Sequence, residues 1–336
     1  MPKSLIAAAA LIMASTSSAA FAQPSAHSAG SGIDMEVLHL QVILDHLGFS
    51  PGVLDGKNGM STTAALKGFQ ESRGLEPTGT VDASTRAALE PYEGWTPTKT
   101  LVLSKRALAG PYINPIPHDE NAQAKLPGLY YRSPMEKLAE MFHTTPQVLL
   151  ALNSPETPLT PGTQVVFPNA LPTSRAYPGD LPQKWRDTLN MLNVDANAPE
   201  ASKIVVDKSD SVLKVFDDRD KLVAQFQVTT GSTHDPLPIG TWKITGEDYN
   251  PKFHYNPDLF WDASSSDSEA MLPPGPNGPV GVVWLDLSKE HYGIHGTPEP
   301  QLIGRTESHG CVRLTNWNAA RLSLMVKPGT PVVFQE

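Results

Sequence analysis

The sequence of 336 residues contains a single cysteine, Cys311, which excludes a disulfide-linked scaffold and any metal site that needs several thiolates. Basic residues are also scarce, since 26 Lys and Arg stand against 35 Asp and Glu and give a formal net charge of −9. This balance argues against a nucleic-acid partner, because proteins that bind nucleic acids use a basic face to replace the counterions of the phosphates. Beyond residues 1–22, no apolar run approaches the about 20 residues of a membrane-spanning helix.

Proline, in contrast, is abundant, with 32 of 336 residues, which is about twice its usual share. Because proline lacks a backbone N–H and interrupts helices, this composition argues against a helical bundle and favours extended linkers and turns. The hydrophobic content of 40% and the charged content of 18% argue against intrinsic disorder. The length fits two or three domains.

The first residues of the chain, 1–22, have the pattern of a secretory signal peptide. Lys3 precedes an apolar run at 5–13, and Ala20-Phe21-Ala22 forms an A-x-A cleavage site. The alternative, an N-terminal membrane anchor, is disfavoured by the shortness of the apolar run. We therefore expect an exported protein of the periplasm or cell wall, with no membrane span once the signal is removed. In such a protein a lone thiol calls for a functional explanation.

Helix-capping residues and apolar spacing predict two small units in the first half of the chain. In the first unit, Asp34 and Asp82 cap the first and third of three helices, and Ser61 opens the second. In the second unit, Ser133-Pro134 and Thr145-Pro146 begin two helices that are followed by a turn and a short strand. The first unit has few acidic residues and no thiol, so it does not resemble an enzyme.

After about residue 201 the apolar pattern changes to a period of two, which predicts a mainly-β domain with strands at 212–216, 222–228, 241–245, 280–287 and 330–334 and a helix at 317–326. Pro- and Gly-rich loops between these strands are suited to carry a functional site. The predicted fold class is multidomain α+β. Its parts are a signal peptide (1–22), a three-helix domain (34–92), a Pro-rich linker (93–125), a small αβ module (126–169), a connector (170–200) and the mainly-β domain (201–336).

Two short segments of the mainly-β domain carry the residues of an acyl-transfer site. Cys311 lies in Ser308-His309-Gly310-Cys311-Val312-Arg313-Leu314, and His295 lies sixteen residues earlier in Tyr292-Gly293-Ile294-His295-Gly296-Thr297. An imidazole near a thiol takes its proton and makes the sulfur a nucleophile. The glycine-flanked loop can present backbone N–H groups to an oxyanion, and Arg313 can bind a substrate carboxylate.

Other interpretations of these residues are open at this point. Cys311 could be a small buried hydrophobic residue. His295, His309 and Cys311 could bind zinc, although no second cysteine pair or His-Glu-x-x-His helix accompanies them. Arg313 could form a structural ion pair instead of a substrate contact. The segment 55–59 could suggest a calcium loop, but it lacks the alternating acidic ligands and the closing Glu, which favours a plain turn.

Motifs in the first half of the chain resemble wall-binding modules. Residues 34–92, with Asp55-Gly56 and Phe69-Gln70 among the matching positions, resemble the peptidoglycan-binding domain type 1. Residues 126–169, with two helices, Asn153 and a Pro-Gly turn before the strand, resemble a LysM module that lacks the usual Gly-Asp-Thr opening. The first resemblance implies a module that binds peptidoglycan. The second leaves two interpretations open, a glycan-binding module or a spacer with a LysM-like fold.

The segments around His295 and Cys311, together with Pro238-Ile239-Gly240-Thr241, resemble the signature of YkuD-type L,D-transpeptidases, whose catalytic domain is a mainly-β sandwich or barrel. The resemblance implies that Cys311 is the nucleophile and His295 the general base. Because Gly296 has no side chain, we expect another acceptor, such as a backbone carbonyl, to orient His295. The remaining implied residues are Ser308, His309 and Gly310 at the oxyanion hole and its loop, and Arg313, Tyr292 and Gly296 at the substrate.

The same resemblance implies a two-step exchange on peptidoglycan tetrapeptide stems, with no metal or organic cofactor. Cys311 attacks the carbonyl of the third residue and expels the terminal D-alanine, and carbapenems are expected to acylate the same thiol. An amine of a neighbouring stem or of an envelope protein then takes the acyl group. With water as the acceptor, the same residues would make an L,D-carboxypeptidase or amidase. A third interpretation is a wall-binding protein without catalytic activity. That interpretation predicts a degraded motif, whereas the motif around Cys311 is intact.

Overall fold

The computed structural model describes residues 32–260, 263 and 268–336, and the predicted signal peptide lies outside them. Residues 33–336 belong to one compact unit. Within the described residues, no helix has the length and apolar character that crossing a membrane requires.

The described helices are α1 (Met35–His46), α2 (Met60–Ser72), α3 (Ala83–Leu89), α4 (Glu120–Gln123), α5 (Pro134–Met141), α6 (Pro146–Leu152), α7 (Gln183–Met191) and α8 (Asn316–Ser323). The described strands are β1 (Phe49–Ser50), β2 (Thr98–Val102), β3 (Gln164–Pro168), β4 (Lys203–Asp207), β5 (Val212–Phe216), β6 (Leu222–Gln227), β7 (Gly240–Tyr249), β8 (Phe253–Tyr255), β9 (Ala270–Leu272), β10 (Val283–Leu287), β11 (Gly293–His295), β12 (Val312–Arg313) and β13 (Pro331–Gln335).

The N-terminal region is helical, as its capping residues predict. The Asp34 carboxylate accepts hydrogen bonds from the backbone N–H groups of Glu36 and Val37 at the start of α1. Asp82 caps α3 in the same way. Helix α2 begins at Met60, one residue before the predicted Ser61, and its N-cap is a glycine. Helices α1 and α3 could be predicted because each capping side chain acts on backbone groups within three residues of it.

The segment predicted as a linker contains strand β2, which pairs antiparallel with β3 along its whole length. Helices α4, α5 and α6 follow one another in the chain between these strands, and Ser133 and Thr145 cap α5 and α6 as predicted. Without the short helix α4, the two strands and the two longer helices form a β–α–α–β arrangement. Strand β2 is mostly exposed, so its sequence carries little of the apolar alternation that reveals a strand.

Most strands of the mainly-β domain join one nine-stranded sheet of order β1-β6-β5-β4-β13-β7-β10-β11-β12, and β8 and β9 form a separate two-stranded antiparallel sheet. The first strand of this order, β1, comes from the N-terminal helical region and pairs parallel with β6. At the other end, Arg313 of β12 bridges to Thr229, two residues after β6. The sheet therefore curls back towards its own beginning.

The predicted connector, 170–200, contains helix α7. Its Trp185 and Leu189 are fully buried in the same apolar cluster as the strands and α8. The connector thus supplies part of the core of the mainly-β domain, which its Pro- and Asn-rich sequence did not reveal.

Buried charges connect three parts of the chain. His143, just after α5, has Nδ1 2.8 Å from Oδ2 of Asp45 on α1 and Nε2 2.8 Å from the carbonyl oxygen of Leu192. Both partners are acceptors, so both ring nitrogens donate and the ring is an imidazolium. Arg321 of α8 donates to the backbone oxygen of Asp45 at 2.7 Å and lies 3.7 Å from its carboxylate. Burial raises the pKa of Asp45, but the charges of Arg321 and His143 outweigh it and hold the pKa well below its usual range. We call these three residues the charge cluster.

We expect Asp45→Asn to destabilise the protein by about 3–5 kcal/mol, because it leaves two buried cations without their anion. Urea unfolding followed by tryptophan fluorescence measures the change. The exposed Asp218→Asn variant is the matched control and should stay within about 0.5 kcal/mol of the unmodified protein.

The same carboxylate gives a pH dependence. A folded pKa below the unfolded value of about 3.9 means that the contribution of Asp45 is complete above about pH 5 and is lost as the pH falls further. The difference in stability between the unmodified protein and Asp45→Asn should therefore shrink in acid. A constant difference from pH 7 to pH 3 would contradict this account.

Candidate active site

Strands β11 and β12 bring the predicted nucleophile and base onto neighbouring segments of backbone. They run parallel, with Ile294 opposite Val312 and His295 opposite Arg313. Cys311 immediately precedes β12, and a hydrogen bond from the backbone of Gly293 reaches its thiol. The two motifs, separate in the sequence, therefore meet at one edge of the sheet.

His295 is held as a neutral imidazole. It is 3% exposed, and its Nδ1 lies 2.7 Å from the backbone carbonyl oxygen of Gly296. Because a carbonyl only accepts, Nδ1 carries the proton and Nε2 presents its lone pair. Burial lowers the pKa of His295 to about 3, and the charge of Arg313 acts in the same direction. The acceptor that orients His295 is thus a backbone carbonyl, as we expected because Gly296 has no side chain that could accept this hydrogen bond.

Cys311 is held as a neutral thiol. The side chain is partly buried, and its Sγ lies 3.8 Å from the carbonyl oxygen of His291. Burial raises the pKa of Cys311, although the backbone of Gly293 and the charge of Arg313 act in the opposite direction. The resting site therefore combines a protonated sulfur with an unprotonated imidazole, and the chemistry that suits it is a nucleophilic attack in which the thiol loses its proton to a base.

The loop before Cys311 is fixed by side-chain and backbone contacts. The Ser308 hydroxyl donates to the carbonyl oxygen of Cys311 at 2.6 Å, and the Ser308 backbone N–H donates to Thr230. Gly310 has φ of +97°, and a Cβ there would lie 2.7 Å from the Tyr292 ring. Only glycine allows this conformation and this contact together. Tyr292 therefore packs directly against the predicted oxyanion loop.

The structure also places His309, Arg313 and Gly296 around this centre. The His309 ring meets Phe260 edge to face, with 5.1 Å between the ring centroids. The Arg313 backbone pairs with Thr229, and its charge acts on both His295 and Cys311. Gly296 supplies the carbonyl that orients the base.

Sequence reasoning missed two residues at the site. Trp284 of β10 stands opposite His295 in the sheet, and its ring stacks on the imidazole at a centroid distance of 5.3 Å. Asn316, the first residue of α8, lies so close to Gly296 that a Cβ on the glycine would be 2.1 Å from its Oδ1. No motif includes either residue, because both reach the site through tertiary packing. Among the side chains that the structure describes, no group of three or more His, Cys, Asp or Glu could hold a metal ion.

Two regions of the chain match models of known protein families. Residues 201–334 match the family model of the L,D-transpeptidase catalytic domain, YkuD, and residues 34–89 match that of a putative peptidoglycan binding domain. Neither match covers residues 126–169, so the LysM-like module stays a prediction.

Similar proteins carry corresponding names. A putative L,D-transpeptidase YkuD of Bacillus licheniformis is 32% identical over 130 residues, which are 39% of this chain and 63% of the relative. Its namesake from Bacillus subtilis is 51% identical over 57 residues, 17% of this chain and 35% of the relative. The chain thus spans less than two thirds of the length of either relative. Among solved structures, an L,D-transpeptidase from Mycobacterium smegmatis is 20% identical, with a TM-score of 0.33, over 40% of this chain and 58% of that one.

The resting state of the site can be tested by alkylation, which reports Cys311 alone because it is the single cysteine. The thiolate is the reactive form, and the pKa of Cys311 lies above its usual value of about 9. The rate of reaction with iodoacetamide should therefore keep rising beyond pH 9 and stay below that of a free cysteine peptide at pH 7. A plateau already below pH 7 would show a thiolate–imidazolium pair and contradict this description.

Proposed function

We propose that this chain is an exported L,D-transpeptidase that acts on peptidoglycan tetrapeptide stems through a thioester on Cys311. The observation that carries the proposal is the oriented neutral imidazole of His295, on the strand beside the single cysteine, inside a region that matches the L,D-transpeptidase catalytic domain. The thiol, the imidazole and the glycine-containing loop correspond to the nucleophile, the base and the oxyanion donors that an acyl transfer needs.

In the first step, the sulfur of Cys311 bonds to the carbonyl carbon of the third stem residue while Nε2 of His295 takes the thiol proton. Backbone N–H groups of the loop with Ser308, His309 and Gly310 stabilise the oxyanion. The intermediate collapses, the bond to the terminal D-alanine breaks, and the proton on His295 passes to the departing amine. A thioester and free D-alanine result.

In the second step, the nitrogen of an amine bonds to the thioester carbon while Nε2 of His295 takes a proton from it. The bond from carbon to sulfur then breaks, and His295 returns the proton to the sulfur, so that Cys311 is released as the thiol. An amine of a neighbouring stem gives a 3–3 cross-link, and a lysine of an envelope protein gives a protein attached to the wall. The charge of Arg313 acts on both His295 and Cys311, and Tyr292 packs against the loop before Cys311, which supports contacts of both with the stem. Gly296 follows the base in the chain and supplies the carbonyl that orients it. We propose these three as substrate-binding residues.

The modules before the catalytic domain would keep it on the wall. The matched peptidoglycan-binding domain has a groove of about 430 Å³ between α1 and α2, lined in part by Thr62, Thr80 and Arg86. The β2–α5–α6–β3 arrangement supports a LysM-like module. Export through a signal peptide at 1–22 completes the proposal, since peptidoglycan lies outside the cytoplasm.

The test is to incubate the protein that begins after residue 22 with a disaccharide-tetrapeptide and to identify the products by mass spectrometry. We expect dimers that have lost one D-alanine, and no product from Cys311→Ala or from His295→Ala. A carbapenem should add its mass to the unmodified protein and not to Cys311→Ala.

The products also separate the alternatives. Tripeptide monomers without dimers would indicate water as the acceptor and an L,D-carboxypeptidase. Neither product nor carbapenem adduct, from folded protein that still binds isolated sacculi, would indicate a non-catalytic wall-binding protein and overturn the proposal.

A further inference from the structure

Glu140 on α5 is a buried carboxylate that lies outside the matched catalytic domain and that the reaction above does not use. It is 7% exposed. One of its oxygens accepts a hydrogen bond of 2.8 Å from Nδ2 of Asn316, and the other accepts one from the Tyr131 hydroxyl. Burial raises the pKa of Glu140 to about 7, although both hydrogen bonds act in the opposite direction. Holding such a group in the interior costs free energy that a neutral side chain would not.

Asn316 is the residue through which Glu140 reaches the catalytic domain. Its side chain is fully buried, its Nδ2 also donates to the carbonyl oxygen of Pro276 at 3.0 Å, and its Oδ1 accepts from the backbone N–H of Val282 at 3.2 Å. The two acceptors beside Nδ2 and the donor beside Oδ1 define a single orientation of the amide. Glu140 therefore helps to fix both the position and the rotation of this side chain.

The amide of Asn316 in turn packs against the backbone that orients the base. Gly281 and Gly296 both lie in direct contact with Asn316. If either glycine carried a Cβ, that atom would lie only 1.9 Å (Gly281) or 2.1 Å (Gly296) from Asn316 Oδ1. The carbonyl of Gly296 is the acceptor for Nδ1 of His295. A displacement of the Asn316 side chain would leave space beside Gly296 and free this peptide group to move.

We propose that Glu140 is a positioning residue for the reaction, which orients His295 through Asn316 and the Gly296 carbonyl; this rests on the proposed function of His295 as the base. Glu140 belongs to the segment between the two matched domains. An element outside the catalytic domain thus completes the support of its active site.

Three full-length variants separate this role from a merely structural one. Glu140→Leu removes the acceptor for Asn316 at similar volume, whereas Glu140→Gln keeps an oxygen that can accept the same hydrogen bond. Tyr131→Phe is the matched control, because it removes the other hydrogen bond to Glu140 and leaves the contact with Asn316 intact.

For Glu140→Leu we expect kcat for the tetrapeptide donor to fall about tenfold to a hundredfold with KM changed less than about twofold, since misplacing the base affects the transition state and not ground-state binding. Glu140→Gln and Tyr131→Phe should stay within about threefold of the unmodified kcat. Wild-type kcat in Glu140→Leu would overturn the proposal. So would an equal loss in Glu140→Gln or in Tyr131→Phe, since either would indicate a charge or packing effect.

A second measurement does not depend on turnover. In protein labelled with ¹⁵N-histidine, the Nδ1 proton of His295 should give a downfield, slowly exchanging signal, assigned by its loss in His295→Gln. This signal should broaden or exchange faster in Glu140→Leu and persist in Glu140→Gln and Tyr131→Phe. An unchanged signal in Glu140→Leu would overturn the proposal even if the protein proved to have no transpeptidase activity.

If Glu140→Leu does not fold, Asn316→Ser provides the same test, because it withdraws the amide from both Glu140 and Gly296. We then expect the same loss of the His295 signal and of kcat. Retention of both in Asn316→Ser would overturn the proposal.

Discussion

Asp45, His143 and Arg321 meet in the interior, and the arrangement of the described chain depends on their staying together. Charges with so little solvent around them are tolerated only as a group, since separating any one leaves the others desolvated and unpaired. Each residue comes from a different part of the chain, namely α1, the turn after α5, and α8. The His143 ring also stacks on Trp317 of α8 at 5.1 Å. The charge cluster therefore keeps the N-terminal helical region, the β2–β3 module that follows it and the mainly-β domain in one arrangement.

Helix α8 connects this arrangement to the candidate active site. Every residue of the helix is buried, and its side chains face different neighbours: Arg321 contacts α1, Asn318 donates to Ser50 of β1, and Asn316 contacts α5. Just before the helix, the backbone N–H of Leu314 donates to the carbonyl oxygen of His295 at 2.8 Å. A displacement of either N-terminal module would therefore act on the backbone around His295, the proposed base.

The sequence predicted the parts of this structure whose cause is local. The caps at Asp34, Asp82, Ser133 and Thr145 act on backbone groups within three residues, and the predicted helices follow them. The neighbourhood of Cys311 and His295 was predicted because two motifs carried it. Strand β2, helix α7, the charge cluster, Trp284 and the contact between Glu140 and Asn316 depend on partners far along the chain. No local pattern marks such pairings, and a buried Glu in a helix reads in the sequence as a surface residue.

Burial around Cys311 and His295 has a chemical consequence beyond geometry. The pKa of Cys311 is raised and that of His295 lowered, so both groups stay neutral until a substrate arrives. A neutral thiol is less nucleophilic than a thiolate, but it is also oxidised more slowly, because oxidation starts from the thiolate. In the proposed setting outside the cytoplasm, no second cysteine of this chain could form a disulfide to protect the sulfur. The lower resting reactivity is then offset by a base held ready in the correct tautomer, and this requires the rigid support that Gly296, Asn316 and the charge cluster provide.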